Sequence, residues 1–266
     1  MNAVGITRAL WRYRGFVLAT VAREFQLRYR GSTLGFLWNL IQPIGTVFIF
    51  TVVFAQIMQA RLAGVNDVYG YGVYLCAGMF VWGMFAEIVQ RGLNMFIDFG
   101  NMLKKASFPR SSVPLIIVLS ALLNFAITFG IFVAFLLIIG RFPGMVAFAA
   151  LPVIAIFLML AVGLAVLLGT LNVFLRDIGQ AVVIALQFWF WLTPIVYPEK
   201  ALPEFAHEWL KLNPAAPLIS AMHDIFVDAK VPDWSTLMLP VICAVVALVL
   251  AALAFRAYSG ELVDEL

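Results

Sequence analysis

Histidine and cysteine are scarce in this 266-residue chain, which has two of each. Cys76 and Cys243 both fall in apolar runs, which argues against a disulfide framework or a metal site. His207 and His223 stand alone, as surface or interface histidines do, with no cluster at ligand spacing. Absent too are the G-x-x-x-x-G-K-S/T phosphate loop, HExxH and GxSxG. Catalysis has little to stand on, and no metal or cofactor is expected to be bound by this chain. Charge is equally thin. Charged residues make up 12% and hydrophobic residues 64%, where a soluble domain carries about 25% and about 45–50%. A soluble core cannot hide that much apolar surface.

What the chain does have is long apolar runs. Uncharged stretches cover 34–60, 68–86, 111–140, 142–175, 178–198 and 235–255, each about as long as the roughly 20 residues that cross a ~30 Å hydrocarbon layer as helix. Only helices and closed barrels satisfy their backbone in lipid, and the strict alternation of barrel strands is missing. The expected fold is an all-α membrane protein with six transmembrane helices. Run 142–175 is longer than one span needs and holds Pro152, so it either begins outside the membrane or kinks, with a re-entrant pair as the other option.

Lys and Arg set the orientation. Residues 1–33 carry Arg8, Arg12, Arg14, Arg23, Arg28 and Arg30 against the single acid Glu24. With six spans, Lys104, Lys105, Arg110, Arg176 and Arg256 fall on the same side, and Arg61, Arg141, Lys200, Lys211 and Lys230 on the other. That split of eleven to five puts both termini in the cytoplasm and leaves Arg91 inside the second span. The Arg-rich start leads into the first span without a small-residue cleavage site, so that span is expected to serve as the insertion signal. The net charge of +3 reflects these flanks rather than nucleic-acid binding.

Three smaller patterns stand out. Ile6, Leu10, Tyr13, Val17, Val21 and Phe25 share one helical face with Arg8, Arg12 and Arg23 opposite, the mark of a basic amphipathic helix in the membrane plane, or of two shorter pieces broken at Gly15, since Trp11 and Phe16 lie off the stripe. It reads either as a plain anchor against anionic lipid or as a guide for an anionic headgroup. Outside the membrane, 199–234 holds two helical segments of about ten residues each, with Phe205, Trp209 and Leu212 on the first and Leu218, Met222, Ile225 and Phe226 on the second. Both are too short to span, so they are re-entrant or interfacial, or simply cap the bundle. Within the spans, Glu87 and Arg91 sit at i,i+4 and can pair, which favours a structural ion pair over a translocation role. Aromatics cluster at Phe188-Trp189-Phe190-Trp191 and elsewhere; they form interfacial belts and core, or platforms for sugar rings.

Arg28-Tyr29-Arg30-Gly31-Ser32-Thr33-Leu34-Gly35-Phe36-Leu37-Trp38 followed by Gln42-Pro43 resembles the first-span signature of type-two ABC exporter permeases that move polysaccharides and polyol phosphates. The likeness continues in order through 78–85, Leu103-Lys104-Lys105-Ala106-Ser107-Phe108-Pro109-Arg110, 172–177, Thr193-Pro194-Ile195-Val196-Tyr197-Pro198 and Leu212-Asn213-Pro214. His223 departs from it, standing where many relatives would have Arg.

The resemblance implies a six-helix permease subunit that pairs with a second copy of itself and with two copies of a nucleotide-binding subunit, which holds ATP and Mg. It implies three regions: the N-terminal amphipathic segment 1–33, a transmembrane domain 34–258 and a cytoplasmic tail 259–266. Within the domain, 101–112 would be a cytoplasmic coupling segment, with Lys104, Lys105, Phe108, Pro109 and Arg110 seated on the ATPase and 172–180 beside them. Segment 199–234 would be a periplasmic gate. Arg28 and Arg30 would meet the lipid pyrophosphate, and Trp38, Phe188, Trp189 and Trp191 would line the glycan's passage. The implied function is export of a lipid-linked, O-antigen-like polysaccharide across the bacterial inner membrane. An ABC exporter of a drug or lipid is the nearest alternative, and a membrane-embedded enzyme or scaffold the more distant one.

Overall fold

The computed structural model describes residues 13–28, 35–52, 69–104, 110, 112–199, 202–258, 260, 261 and 265, and these are helical with no strand among them. The helices are α1 (Arg14–Arg28), α2 (Trp38–Ile49), α3 (Gly70–Asp98), α4 (Ser112–Ile138), α5 (Ala150–Phe174), α6 (Asp177–Trp191), α7 (Glu204–Leu212), α8 (Ala215–Phe226) and α9 (Met238–Tyr258). Four of them, α3, α4, α5 and α9, are long and apolar enough to cross a membrane, counting the 3₁₀ turns Gly144–Ala149 and Trp234–Leu237 that lead into α5 and α9. The other two expected spans differ. α2 runs on to residue 52, and the rest of its apolar run lies outside the described residues. α6 has 15 residues, about 22 Å of helix, and the remainder of its run folds into turns at 192–199.

Local chemistry explains several boundaries. α4 stops at Gly140, whose φ of 70° belongs to the left-handed region, and Arg141 N–H closes back on Leu136 C=O at 2.9 Å. Pro152 is the third residue of α5, a first-turn position that tolerates proline, so Gly144–Phe174 runs as one continuous helix rather than a re-entrant pair.

α3 is the central helix. α5 lies between it and α9, α4 covers another side, and α1 and α2 pack on α4. In lipid there is little hydrophobic gain from pushing apolar helices together, so close packing of small residues holds the bundle. A Cβ added at Gly92 would stand 2.5 Å from Ala165 Cβ, and one at Gly163 2.7 Å from Ala247 Cβ. One added at Gly169 would overlap the Gly92 carbonyl oxygen. These contacts draw α3, α5 and α9 to backbone distance. Phe80, Phe129, Phe132 and Phe226 then fill the space above with edge-to-face pairs.

The two short outer helices part company. α8 is apolar nearly all round, and Leu218, Ile219, Met222, Ile225 and Phe226 are buried in the same core as α3 and α5. α7 stays on the surface: Leu210 is buried while Trp209 and Leu212 are each 72% exposed.

Candidate functional site

Among the described residues, polar features interrupt the apolar bundle in several places. The first joins α1, α3 and α4. Arg91 reaches Glu24 Oε2 with Nη2 at 2.7 Å and Glu87 Oε1 with Nη1 at 3.4 Å. Ser120 Oγ donates to Glu24 at 2.8 Å, and Asn124 Nδ2 to Glu87 at 2.8 Å. The three charged side chains are 25–28% exposed, so the node is mostly enclosed. The Glu87–Arg91 pair was visible at i,i+4; Glu24, 67 residues from Arg91, was not. Its signal was a lone acid among six arginines in the N-terminal segment. α1 buries Val17 and Val21 against Ile116 and exposes Arg14 and Arg23, so the amphipathic helix docks on the bundle and Glu24 locks it there. A cavity of about 450 Å³ adjoins this node between α2, α3 and α4.

The second feature is an open strip on α3. Although α3 is otherwise deeply enclosed, Gly83, Gln90, Asn94 and Ile97 are exposed. They fall on one helical face, turned away from Gly92 and Met95, which meet α5. α6 bounds the strip on one side through Trp189, packed on Trp82 and Phe85. α1, α2 and α4 bound it on the other through Arg91, Gly72 and Glu87.

The third feature closes the opposite end of the bundle. Asn213 Oδ1 accepts from Trp189 Nε1 at 2.7 Å and from Ala215 N–H at 3.0 Å, while its Nδ2 donates to Thr193 Oγ1 at 2.9 Å and to Leu192 C=O at 3.3 Å. One side chain thus ties the end of α6 to the start of α8. Below it the turns after α6 leave carbonyls that α3 satisfies: Tyr71 Oη donates to Val196 C=O at 2.6 Å, and Tyr74 Oη reaches Pro194 and Tyr197 C=O at 3.0 and 2.8 Å. His223 is stacked on Tyr74 with ring centroids 3.6 Å apart and is buried, so its expected place at a surface is corrected: α8 carries it into the core. An outer cavity of about 480 Å³ is lined by Glu199, His207, Lys211 and Asp224. Burial, and then the nearby Asp228 charge, push the Asp224 carboxyl above its ordinary range against the pull of Lys230.

Of the expected passage residues, Trp38 is 49% exposed on α2, and Phe188 and Trp191 are 66% and 57% exposed on α6, the two helices flanking the α3 strip. Trp189 is instead half-buried, held by Trp82, Phe85 and Asn213. Arg28 ends α1, but its side chain and all of Arg30 lie outside the described residues. So do Lys105, Phe108 and Pro109. Lys104 is exposed after the single turn Gly100–Leu103, and Arg110 is half-buried.

Set beside known proteins, residues 16–227 match the model of the ABC-2 type transporter family. The chain belongs to that family. Among its relatives, the O-antigen export system permease protein RfbA of Myxococcus xanthus is 27% identical over 99% of this chain and 100% of its own length. An RfbA of the same description from Klebsiella pneumoniae is 31% identical over 77% of this chain and 78% of its own length, and a second from that organism is 30% identical over the same shares.

Membership of the ABC-2 family implies an ABC ATPase partner. Asn172 Nδ2 donates to Leu93 C=O at 2.9 Å and to Asn94 Oδ1 at 3.2 Å, while Gly179 N–H donates to Asn172 Oδ1 at 2.7 Å. This clip pins the α5–α6 turn, with exposed Arg176, against the same end of α3 from which Lys104 projects.

Proposed function

We propose that this ABC-2 chain is the permease of an ATP-driven exporter that moves a lipid-linked polysaccharide of the O-antigen type out across the bacterial inner membrane. ATP is hydrolysed on a separate subunit, both termini are cytoplasmic, and two copies of the chain enclose the path. The observation that carries this reading is the open strip on α3. An exposed Gln90 on the most enclosed helix of a membrane bundle is costly against lipid, so the strip belongs to a polar path or to its closure by a second copy. Trp38 on α2 and Phe188 and Trp191 on α6 flank it, which suits a sugar chain that stacks on ring faces and hydrogen-bonds between them. The names of the relatives point the same way.

In this scheme the lipid pyrophosphate is met by Arg28 and Arg30 at the end of α1. Lys104 to Arg110 and the Arg176 turn seat on the ATPase, and the Asn213 clip with α7 and α8 forms the outer gate. Deleting the chain in its own host should abolish surface polymer while polymer accumulates on the cytoplasmic face. Restoring it with Arg28→Ala and Arg30→Ala together should restore assembly with the ATPase but not full export. Unchanged surface polymer in the deletion strain would refute the function, and full export by the double variant would refute the headgroup role.

A further inference from the structure

We propose that the cavity between α2, α3 and α4 is a subsite for one neutral sugar unit of the carried glycan, held at its hydroxyls by Glu87 and Asn124. This rests on the permease reading and adds the place where the chain grips its cargo. At about 450 Å³ the cavity lies within the roughly 300–1,000 Å³ of small-molecule sites. Its wall combines the Glu87 carboxylate, the amides of Gln42 and Asn124 and the hydroxyls of Thr46 and Thr128 with the ring of Phe80. Inside a hydrocarbon-facing bundle such groups require water or a polar ligand.

The hydrogen bonds already made decide which ligand. Asn124 spends Nδ2 on Glu87, and its Oδ1 is buried with no partner. Thr128 donates its proton to Asn124 C=O, so toward the cavity it offers lone pairs only. Glu87, Asn124 and Thr128 therefore make a patch of acceptors that calls for hydroxyl donors, while the amides of Asn39 and Gln42 on α2 bring N–H groups to the same cavity, and a hydroxyl serves both. Phosphate is disfavoured, because its oxygens bring lone pairs to a wall that itself offers the Glu87 carboxylate and further acceptors. A simple cation is disfavoured as well, since Arg91 already stands 3.4 Å from the Glu87 carboxylate. A hydrocarbon chain would strand the amides. A sugar ring meets each demand, with hydroxyls toward the acceptors and a C–H face toward Phe80. Met79 lines the cavity on the α3 face that continues into Gly83 and Gln90, so a unit of a chain lying along the strip can turn into it. The ion pairs from Glu87 through Arg91 to Glu24 then set α1 one contact away from the bound sugar.

The test uses the full permease with its ATPase in cells. Thr46→Cys is placed in a chain carrying Cys76→Ala and Cys243→Ala, and its reaction with a small membrane-permeant thiol reagent is followed. Cells that make the polymer are compared with cells of the same strain lacking the enzyme that starts it. Polymer should slow labelling about tenfold, the effect of one hydrogen bond to a charged acceptor, and adding Glu87→Gln with Asn124→Leu should remove the protection. Equal labelling in the two cell types overturns the proposal, and so does protection that survives the double change. Polymer-free membranes given an excess of glucose separate the sources: protection by glucose together with failure of the polymer to protect would assign the cavity to a free sugar and overturn the proposal. If deletion abolishes surface polymer but labelling is equal, the permease reading stands and only the subsite falls.

Discussion

Removing the Asn213 side chain tests whether one residue holds the outer end of the bundle shut. Asn213→Ala takes away two accepted bonds, from Trp189 Nε1 at 2.7 Å and Ala215 N–H at 3.0 Å, and two donated ones, to Thr193 Oγ1 at 2.9 Å and Leu192 C=O at 3.3 Å. Side-chain hydrogen bonds within membrane proteins average about 0.6 kcal/mol and reach about 1.7. Four of them, one long, come to about 2 kcal/mol by that measure. The bond to Trp189 is the shortest, and losing it strands an indole N–H among Trp82 and Phe85, so about 1 kcal/mol of the total should belong to that pair. A double-mutant cycle of Asn213→Ala and Trp189→Phe isolates it. Reversible unfolding in mixed micelles, titrated with SDS and followed by circular dichroism, supplies the four stabilities. A coupling below about 0.3 kcal/mol, the scatter expected of independent sites, would refute the clip, as would native stability of Asn213→Ala alone.

Other expectations follow from the same packing and charge arguments. In the α1–α3–α4 node, Arg91→Met takes the guanidinium from both Glu24 and Glu87 and should cost about 2 kcal/mol or more, whereas Glu24→Gln leaves Arg91 its Glu87 partner and should cost about 1 kcal/mol; the same unfolding assay ranks them, and the reverse order would be wrong for this geometry. Gly169→Leu forces a side chain into the Gly92 carbonyl and should lose about 3 kcal/mol or prevent assembly, while Gly15→Ala, with nothing within 4 Å of the added methyl, should be neutral or up to about 1 kcal/mol stabilising. Alanine at Lys104, Lys105 and Arg110 should leave the permease in the membrane at its normal level but uncouple ATP hydrolysis by the partner from membrane addition. Normal stimulation in that variant would move the docking surface elsewhere.

Much of the architecture was legible in composition because spanning helices need only length and the absence of charge. Helix ends at Trp191, before the apolar run 178–198 does, for a physical reason. The run includes 193–198, which bends freely because Tyr71 and Tyr74, more than 100 residues earlier, take up the exposed carbonyls. No local signal marks that exchange. The contrast between α7 and α8 is legible in the sequence: Glu204, Glu208 and Lys211 give α7 a wet face, while 215–222 carry no charge on any side, the pattern of a buried helix. Glu24 shows the other limit. Its position opposite six arginines invites an explanation, yet only the fold shows that its partner is the one arginine inside a span.

The central claim is that the glycan runs along the exposed face of α3, and Gln90→Trp tests it most directly. The bulky ring projects from an exposed position into the open strip, so membrane level and ATPase binding should stay normal. Surface polymer, measured after induced expression in the deletion strain, should fall at least tenfold with the polymer retained inside. Polymer reaching the surface at the native rate past that tryptophan would contradict the assigned path.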